Sequence, residues 1–135
     1  VERAAALGID RRTLLADVVP FWLRHALDPS GALNNCLDDA GNVLSRDRYV
    51  WSQARALWTF SAMCEAFGQR EEWLAVARGL ARWLLRHGRD ADGQWVYRVD
   101  EHGTVLQGES ERTTKSVGIV VNFMDDLRAR MAPAK

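Results

Sequence analysis

Shifted by 62 residues, the chain matches itself without a gap, and this internal repeat limits its fold more than any other feature. Asp28 falls on Asp90, Gly31 on Gly93, Asp38 on Asp100, Gly41 on Gly103, Val43 on Val105 and Leu44 on Leu106. Both copies read D-x-x-G, a short alternating stretch, then D-x-x-G-x-V-L. Asp and Gly at these offsets are turn residues, and alternation is the habit of a strand. Each copy is therefore expected to form a short β-hairpin, or a hairpin-like loop, around a D-x-x-G turn.

The segments flanking these hairpins have helical period. From Arg11 to Leu27 the apolar residues Leu14, Leu15, Val18, Val19, Trp22, Leu23 and Ala26 recur at spacings of three and four. Asp10 is placed to cap this helix, and Pro20 to kink or split it. From Glu71 to Arg86, Trp73, Val76, Ala77, Leu80, Ala81 and Leu84 form one stripe, with Arg82 and Arg86 near the C-terminal end and Gly88 as a stop. The helix over 48–67 differs. At about 100° per residue, Tyr49, Leu57, Phe60, Cys64 and Phe67 fall on one side, and Trp51, Trp58 and Ala62 on the other. A helix apolar nearly all round is normally enclosed by other helices. Glu111 to Met131 occupies the same place in the second copy, with Val117, Ile119, Val120, Val121, Phe123, Met124 and Leu127 as its apolar set.

The order is thus outer helix, hairpin, inner helix, twice over, with repeat units of about 11–67 and 71–131 in a single domain, 1–135. Such units stack because no single pair buries both faces of its inner helix. The expectation is an all-α fold with short β-hairpins gathered on one rim. Two units leave open ends, and a second copy of the chain, as a homodimer, is one way to cover them.

With 47% hydrophobic and 27% charged residues the composition is that of a soluble globular domain. Eighteen basic residues balance eighteen acidic ones, which gives no electrostatic reason to expect nucleic acid or an anionic membrane as partner. The apolar runs are too short to cross a bilayer, and VERAAALGIDRR is too charged for a secretory signal. Cys36 and Cys64 lack metal-ligand spacing and read as small packed side chains of a cytoplasmic protein. The sequence has no initiator Met and begins in mid-pattern, as a trimmed product or a fragment does.

The run YVWSQARALWTF, Tyr49–Phe60, resembles the most characteristic stretch of the N-acylglucosamine 2-epimerase family, which also contains cellobiose 2-epimerases and mannose isomerases. FWLRHALDPSG followed by CLDDAGNV is similar to that family's first helix and hairpin. The specific part is W-x-Q-x-R-x-x-W behind a D-x-x-G-x-V hairpin. The resemblance is good over 21–67, fair over 83–106 and poor after Gly108.

Membership implies a partial (α/α)6 toroid, here its N-terminal portion, whose inner helices point at a sugar pocket. It implies proton transfer at C2 of a ring-opened aldose or N-acylhexosamine, with no cofactor and no metal. Such chemistry needs bases with pKa near neutrality and a donor or cation facing the enediolate oxygen. The Q-x-R arginine that faces the sugar in this family corresponds to Arg55, the catalytic candidate.

The residues alone leave Arg55 open. An arginine on a helix apolar all round must meet a carboxylate, carbonyl oxygens or a polar cavity. The substrate-binding set expected with it is Tyr49 at the rim, Trp51 and Gln53. Trp51 serves equally well as core or sugar face, Trp58 reads as core, and Gln53 lies on another side, placed to tie the helix to a hairpin backbone.

Departures accompany the resemblance. The family's two catalytic histidines come from later inner helices and match none of His25, His87 and His102. His25 reads as structural or surface, His87 as a residue whose cation the helix C-terminus favours, and His102 as a turn residue without chemistry. Ala32 and Leu33 stand where the family has a second Gly and an aromatic. Ser110, Thr113, Thr114 and Ser116 read as helix-capping hydroxyls. The alternatives are an isomerase of which this is one part, a truncated relative without catalysis, and a helical-repeat scaffold unconnected with sugars.

Overall fold

A computed structural model describes residues 11–106. Asp10, the hydroxyls of 110–116 and the expected helix at 111–131 lie outside the described residues.

The first helix is not uniform. It runs as Arg11–Thr13, a π-helical segment Leu14–Val18, and Val19–His25. Pro20 has no N–H to offer the carbonyl four residues back. The ladder widens just before it, so that the Val19 amide bonds to the Leu14 oxygen. Pro20 then falls in the first turn of Val19–His25, where a missing donor costs little. The helix ends at His25, short of the expected Leu27, because Leu27 bridges to Leu33 across the first turn.

Four D-x-x-G turns follow one design. Each glycine amide donates to the aspartate carbonyl at 3.0–3.1 Å, and each aspartate amide donates to the carbonyl four residues on. The Oδ1 atoms of Asp28, Asp38, Asp90 and Asp100 accept the amide two residues ahead at 2.9–3.0 Å. Gly31, Gly41, Gly93 and Gly103 all have positive φ, the conformation that closes a three-residue hairpin loop. Each repeat thus holds two such turns, where one hairpin per copy was expected.

The strands are short. β1 (Cys36–Leu37) pairs antiparallel with β2 (Val43–Ser45), with Cys36 opposite Ser45 and Leu37 opposite Val43 across an irregularity. β3 (Arg48–Tyr49) pairs antiparallel with β4 (Arg98–Val99), Arg48 opposite Val99 and Tyr49 opposite Arg98. This second pairing joins the two repeats. The inner helix, Val50–Phe67, starts after β3, two residues later than its apolar pattern suggests.

The inner helix packs along the outer helix, Glu71–His87, whose expected stripe is buried apart from half-buried Ala81. Leu57, Trp73, Leu80, Leu84 and Val99 are each at most 2% exposed, and each side chain buried so contributes about 1.5–3 kcal/mol. Gly79 lets the outer helix touch the first turn: a Cβ on Gly31 would lie 2.9 Å from the Gly79 carbonyl oxygen. Described residues therefore form a mostly helical fold with short antiparallel hairpins, and no described helix is long and apolar enough to cross a membrane.

Candidate functional site

The β3–β4 joint delivers the chain into the inner helix. Arg48, 1% exposed, lies at its centre. Its Nη2 meets Asp28 Oδ2 at 3.0 Å and its Nη1 donates to the Glu101 carbonyl at 3.1 Å, so one side chain ties the first turn to the last. Arg46 adds longer contacts to the carboxylates of Asp28 (3.8 Å) and Glu101 (3.7 Å). Burial opposes ionisation of Asp28. The Ser30 hydrogen bonds and the charges of Arg48 and Arg46 outweigh it and hold the carboxyl below its usual value. Sequence reasoning missed Arg48, because nothing in the run Arg46-Asp47-Arg48 separates the buried arginine from the one at 55% side-chain exposure.

Tyr49 is half-buried. Its ring meets Tyr97 edge to face at 5.4 Å, and the Arg98 guanidinium lies 5.9 Å from its centroid. Gln53 is fully buried. Its Oε1 accepts the Leu33 amide at 2.8 Å, while its Nε2 donates to the Leu33 carbonyl at 2.8 Å and to Asn35 Oδ1 at 3.2 Å. Both ends of this amide are committed, so Gln53 is a backbone tie and leaves no polar atom for a substrate. Leu33 and Ala32, the residues that depart from the family pattern, are themselves buried in the core.

One face of the inner helix carries Trp51, Arg55 and Trp58 at spacings of four and three. All three are exposed, Trp51 at 43% and Trp58 at 51%. This corrects two expectations. Trp58 is not core, and Arg55 is not enclosed: its guanidinium has no ion pair or hydrogen bond among the described residues. The apolar pattern seen all round the helix divides instead. The face with Ala54, Leu57, Phe60, Met63 and Cys64 is buried, and the tryptophan face is open. Of the expected set, the structure brings Trp51 and Arg55 onto one face, places Tyr49 in the strand before them, and puts Gln53 in the interior.

The histidines serve the turns. The His25 ring lies beneath Gly41 and 4.9 Å from Phe21, and the His87 ring lies beneath Gly103 and 5.4 Å from Trp83. A Cβ on either glycine would overlap the ring. These pairs stand 62 residues apart, so the repeat extends upstream through Leu23-Arg24-His25 and Leu85-Arg86-His87, a match legible in the sequence. His87 does not favour its cation, as its place in the last helical turn suggested. Burial first, then Arg86 and Arg48, push its pKa below the usual 6.5. His102 is exposed, with Nε2 3.7 Å from Glu101 Oε1.

No group of three His, Cys, Asp or Glu among the described residues is placed to hold a metal ion. A cleft of about 350 Å³ lies between the first and outer helices, lined by Leu15, Val19, Leu23, Arg24, Arg70 and Trp73 among others, and contains none of the expected site residues.

Residues 31–113 match the family described as N-acylglucosamine 2-epimerase (GlcNAc 2-epimerase). The N-acylglucosamine 2-epimerase of Mus musculus is 35% identical over 77 residues, 55% of this chain and 18% of that protein. The cellobiose 2-epimerase of Bacteroides fragilis is 28% identical over 89 residues, 64% of this chain and 22% of that protein. Among solved structures, cellobiose 2-epimerase from Bacillus thermoamylovorans B4167 is similar at a TM-score of 0.65 and 20% identity, over 88% of this chain and 34% of that one. A D-mannose isomerase is similar at 0.63 and 18%, over 87% and 37%. The chain thus spans about a fifth of the curated relatives it matches and about a third of those structures.

Proposed function

Because the chain belongs to the N-acylglucosamine 2-epimerase family, we propose that it forms the N-terminal part of a sugar 2-epimerase or isomerase. In this reading it contributes the first arc of an (α/α)6 toroid, and Arg55 faces the oxygens of a ring-opened aldose or N-acylhexosamine. The observation that carries the reading is the exposed Trp51–Arg55–Trp58 face on a helix whose opposite side is core. A guanidinium with no partner among the described residues keeps its fork free for two adjacent oxygens, O1 and O2 of the substrate. Its charge would offset the negative charge that develops on the enediolate as the C2 proton leaves. Trp51, one turn before Arg55, offers an apolar face to the sugar carbons. Tyr49 flanks them at the rim, and Gln53 acts indirectly by fixing the inner helix to Leu33.

Proton transfer needs a base, and the three histidines of this sequence are two turn seats and one exposed turn residue. The bases therefore belong to parts of the enzyme outside these residues. The protein is cytoplasmic in this proposal, consistent with free Cys36 and Cys64, and takes neither nucleic acid nor a membrane as partner. A homodimer is one means of covering the tryptophan face. The second reading, a non-catalytic relative that keeps a sugar- or partner-binding groove, rests on the same absence of a placed histidine.

Solvent-deuterium incorporation at C2 of free aldoses and N-acylhexosamines tests the proposal. The assembled enzyme should exchange the C2 proton, and Arg55→Met should abolish the exchange. Sugar binding without exchange would favour the second reading, and a folded Arg55→Met variant exchanging at the wild-type rate would remove Arg55 from the chemistry.

A further inference from the structure

We propose that the second repeat carries an acid-sensitive latch: His87 seats the turn 100–103 only while its imidazole is neutral, and acidification releases that turn and slackens the β3–β4 joint. The first repeat keeps its own turn under the same change. The inference is independent of any sugar.

The geometry is specific to the second copy. Gly103 lies so close over the His87 ring that a Cβ would overlap Nδ1 and Cε1. The ring is half-buried, with Trp83 at 5.4 Å. Arg48, the buried arginine among the described residues, stands near enough to act on His87, and its Nε has no partner. Arg48 cannot withdraw, being held by Asp28 at 3.0 Å and by the Glu101 carbonyl, in the same turn that His87 seats, at 3.1 Å.

The charges around His87 are accounted for element by element. Its own helix supplies Arg86, and β3 supplies Arg48. In the turn, Asp100 Oδ1 accepts the amides of His102 and Thr104 at 2.9 and 2.8 Å, while the Glu101 carboxylate faces Arg46 and His102, each at 3.7 Å. Asp28 is engaged by Arg48. A proton on His87 therefore adds a third cation beside two arginines, with every nearby carboxylate directed elsewhere. The folded state prefers neutral His87, so the turn is secure above the usual 6.5 and is lost as pH falls below it. His25 occupies the corresponding seat under Gly41, but the buried arginine is not part of that repeat's seat.

The test is amide exchange on the full chain between about pH 7.5 and 5, the range in which histidine titrates. Each rate is divided by the intrinsic rate at that pH. The Gly103 and Leu106 amides, bonded to Asp100 and Arg98, should exchange several-fold faster at the acid end, while Gly41, bonded to Asp38, stays protected. His87→Phe fills the same seat without titrating and should abolish the difference. Should that variant not fold, the imidazole titration of the unaltered protein decides, with His87 expected to titrate below 6.5. Loss of Gly41 protection in parallel, no change at Gly103, a pH response that survives in His87→Phe, or a His87 midpoint at or above the usual value would each overturn the latch.

Discussion

The two repeats share a skeleton and differ in what is hung on it. In both, an aspartate builds the turn, a glycine closes it, and a helix-terminal histidine backed by an aromatic ring fills the space beneath. The chemistry is not repeated. Sixty-two residues beyond Trp51, Gln53 and Arg55 stand Thr113, Lys115 and Val117, and beyond Arg48 stands Ser110. Asp28 holds a buried arginine, whereas its counterpart Asp90 is exposed. A repeat can therefore be preserved for the sake of its turns while only one copy keeps the side chains that do work.

The strongest way to break this comparison is to remove what only the first copy has. Arg48→Met leaves Asp28 without its partner at 13% side-chain exposure and should cost about 3 kcal/mol in urea unfolding, as breaking a buried pair does. Arg46→Met, at 55% side-chain exposure, should cost under about 1 kcal/mol. Gln53→Ala orphans the buried Leu33 amide and carbonyl, and should cost about 2 kcal/mol by the same measurement.

Equivalent glycines sharpen the comparison further. Gly31 and Gly93 both have positive φ, so alanine at either carries a backbone penalty of about 1 kcal/mol. Only Gly31→Ala also meets the Gly79 backbone at 2.9 Å, while Gly93 has nothing within 4 Å. Gly31→Ala should therefore lower the urea midpoint clearly more than Gly93→Ala. Equal midpoints would mean that the outer helix does not press on the first turn as described. Acid unfolding should show two separate windows. His87 contributes stability that falls away below the usual 6.5, and Asp28 a contribution that persists until pH drops through its lowered pKa, below 3.8. His87→Phe should remove the first window and leave the second.

What could be read from the sequence was the locally determined part. Asp-x-x-Gly closes a turn through its own atoms, and helical stripes follow from spacing, so both were legible. The π-segment before Pro20 was legible only as a disturbance, because the sequence marks the missing donor without saying how the ladder absorbs it. Arg48 and the openness of the Trp58 face were not legible. Each depends on which elements lie alongside, a tertiary fact that neither charge nor periodicity encodes. The resemblance around Tyr49–Phe60 pointed to Arg55, but the expectation that the helix encloses it failed because the described neighbours cover one side only.

The smallest stability effect belongs to the residue assigned the largest chemical one. Arg55→Met, at an exposed position without a partner among the described residues, should change unfolding stability by no more than about 0.5 kcal/mol. Deuterium incorporation at the sugar C2 position, measured on that variant in the assembled enzyme, tests the account most directly. Loss of exchange in a variant of unaltered stability is the expected result, and wild-type exchange in the folded variant would contradict it.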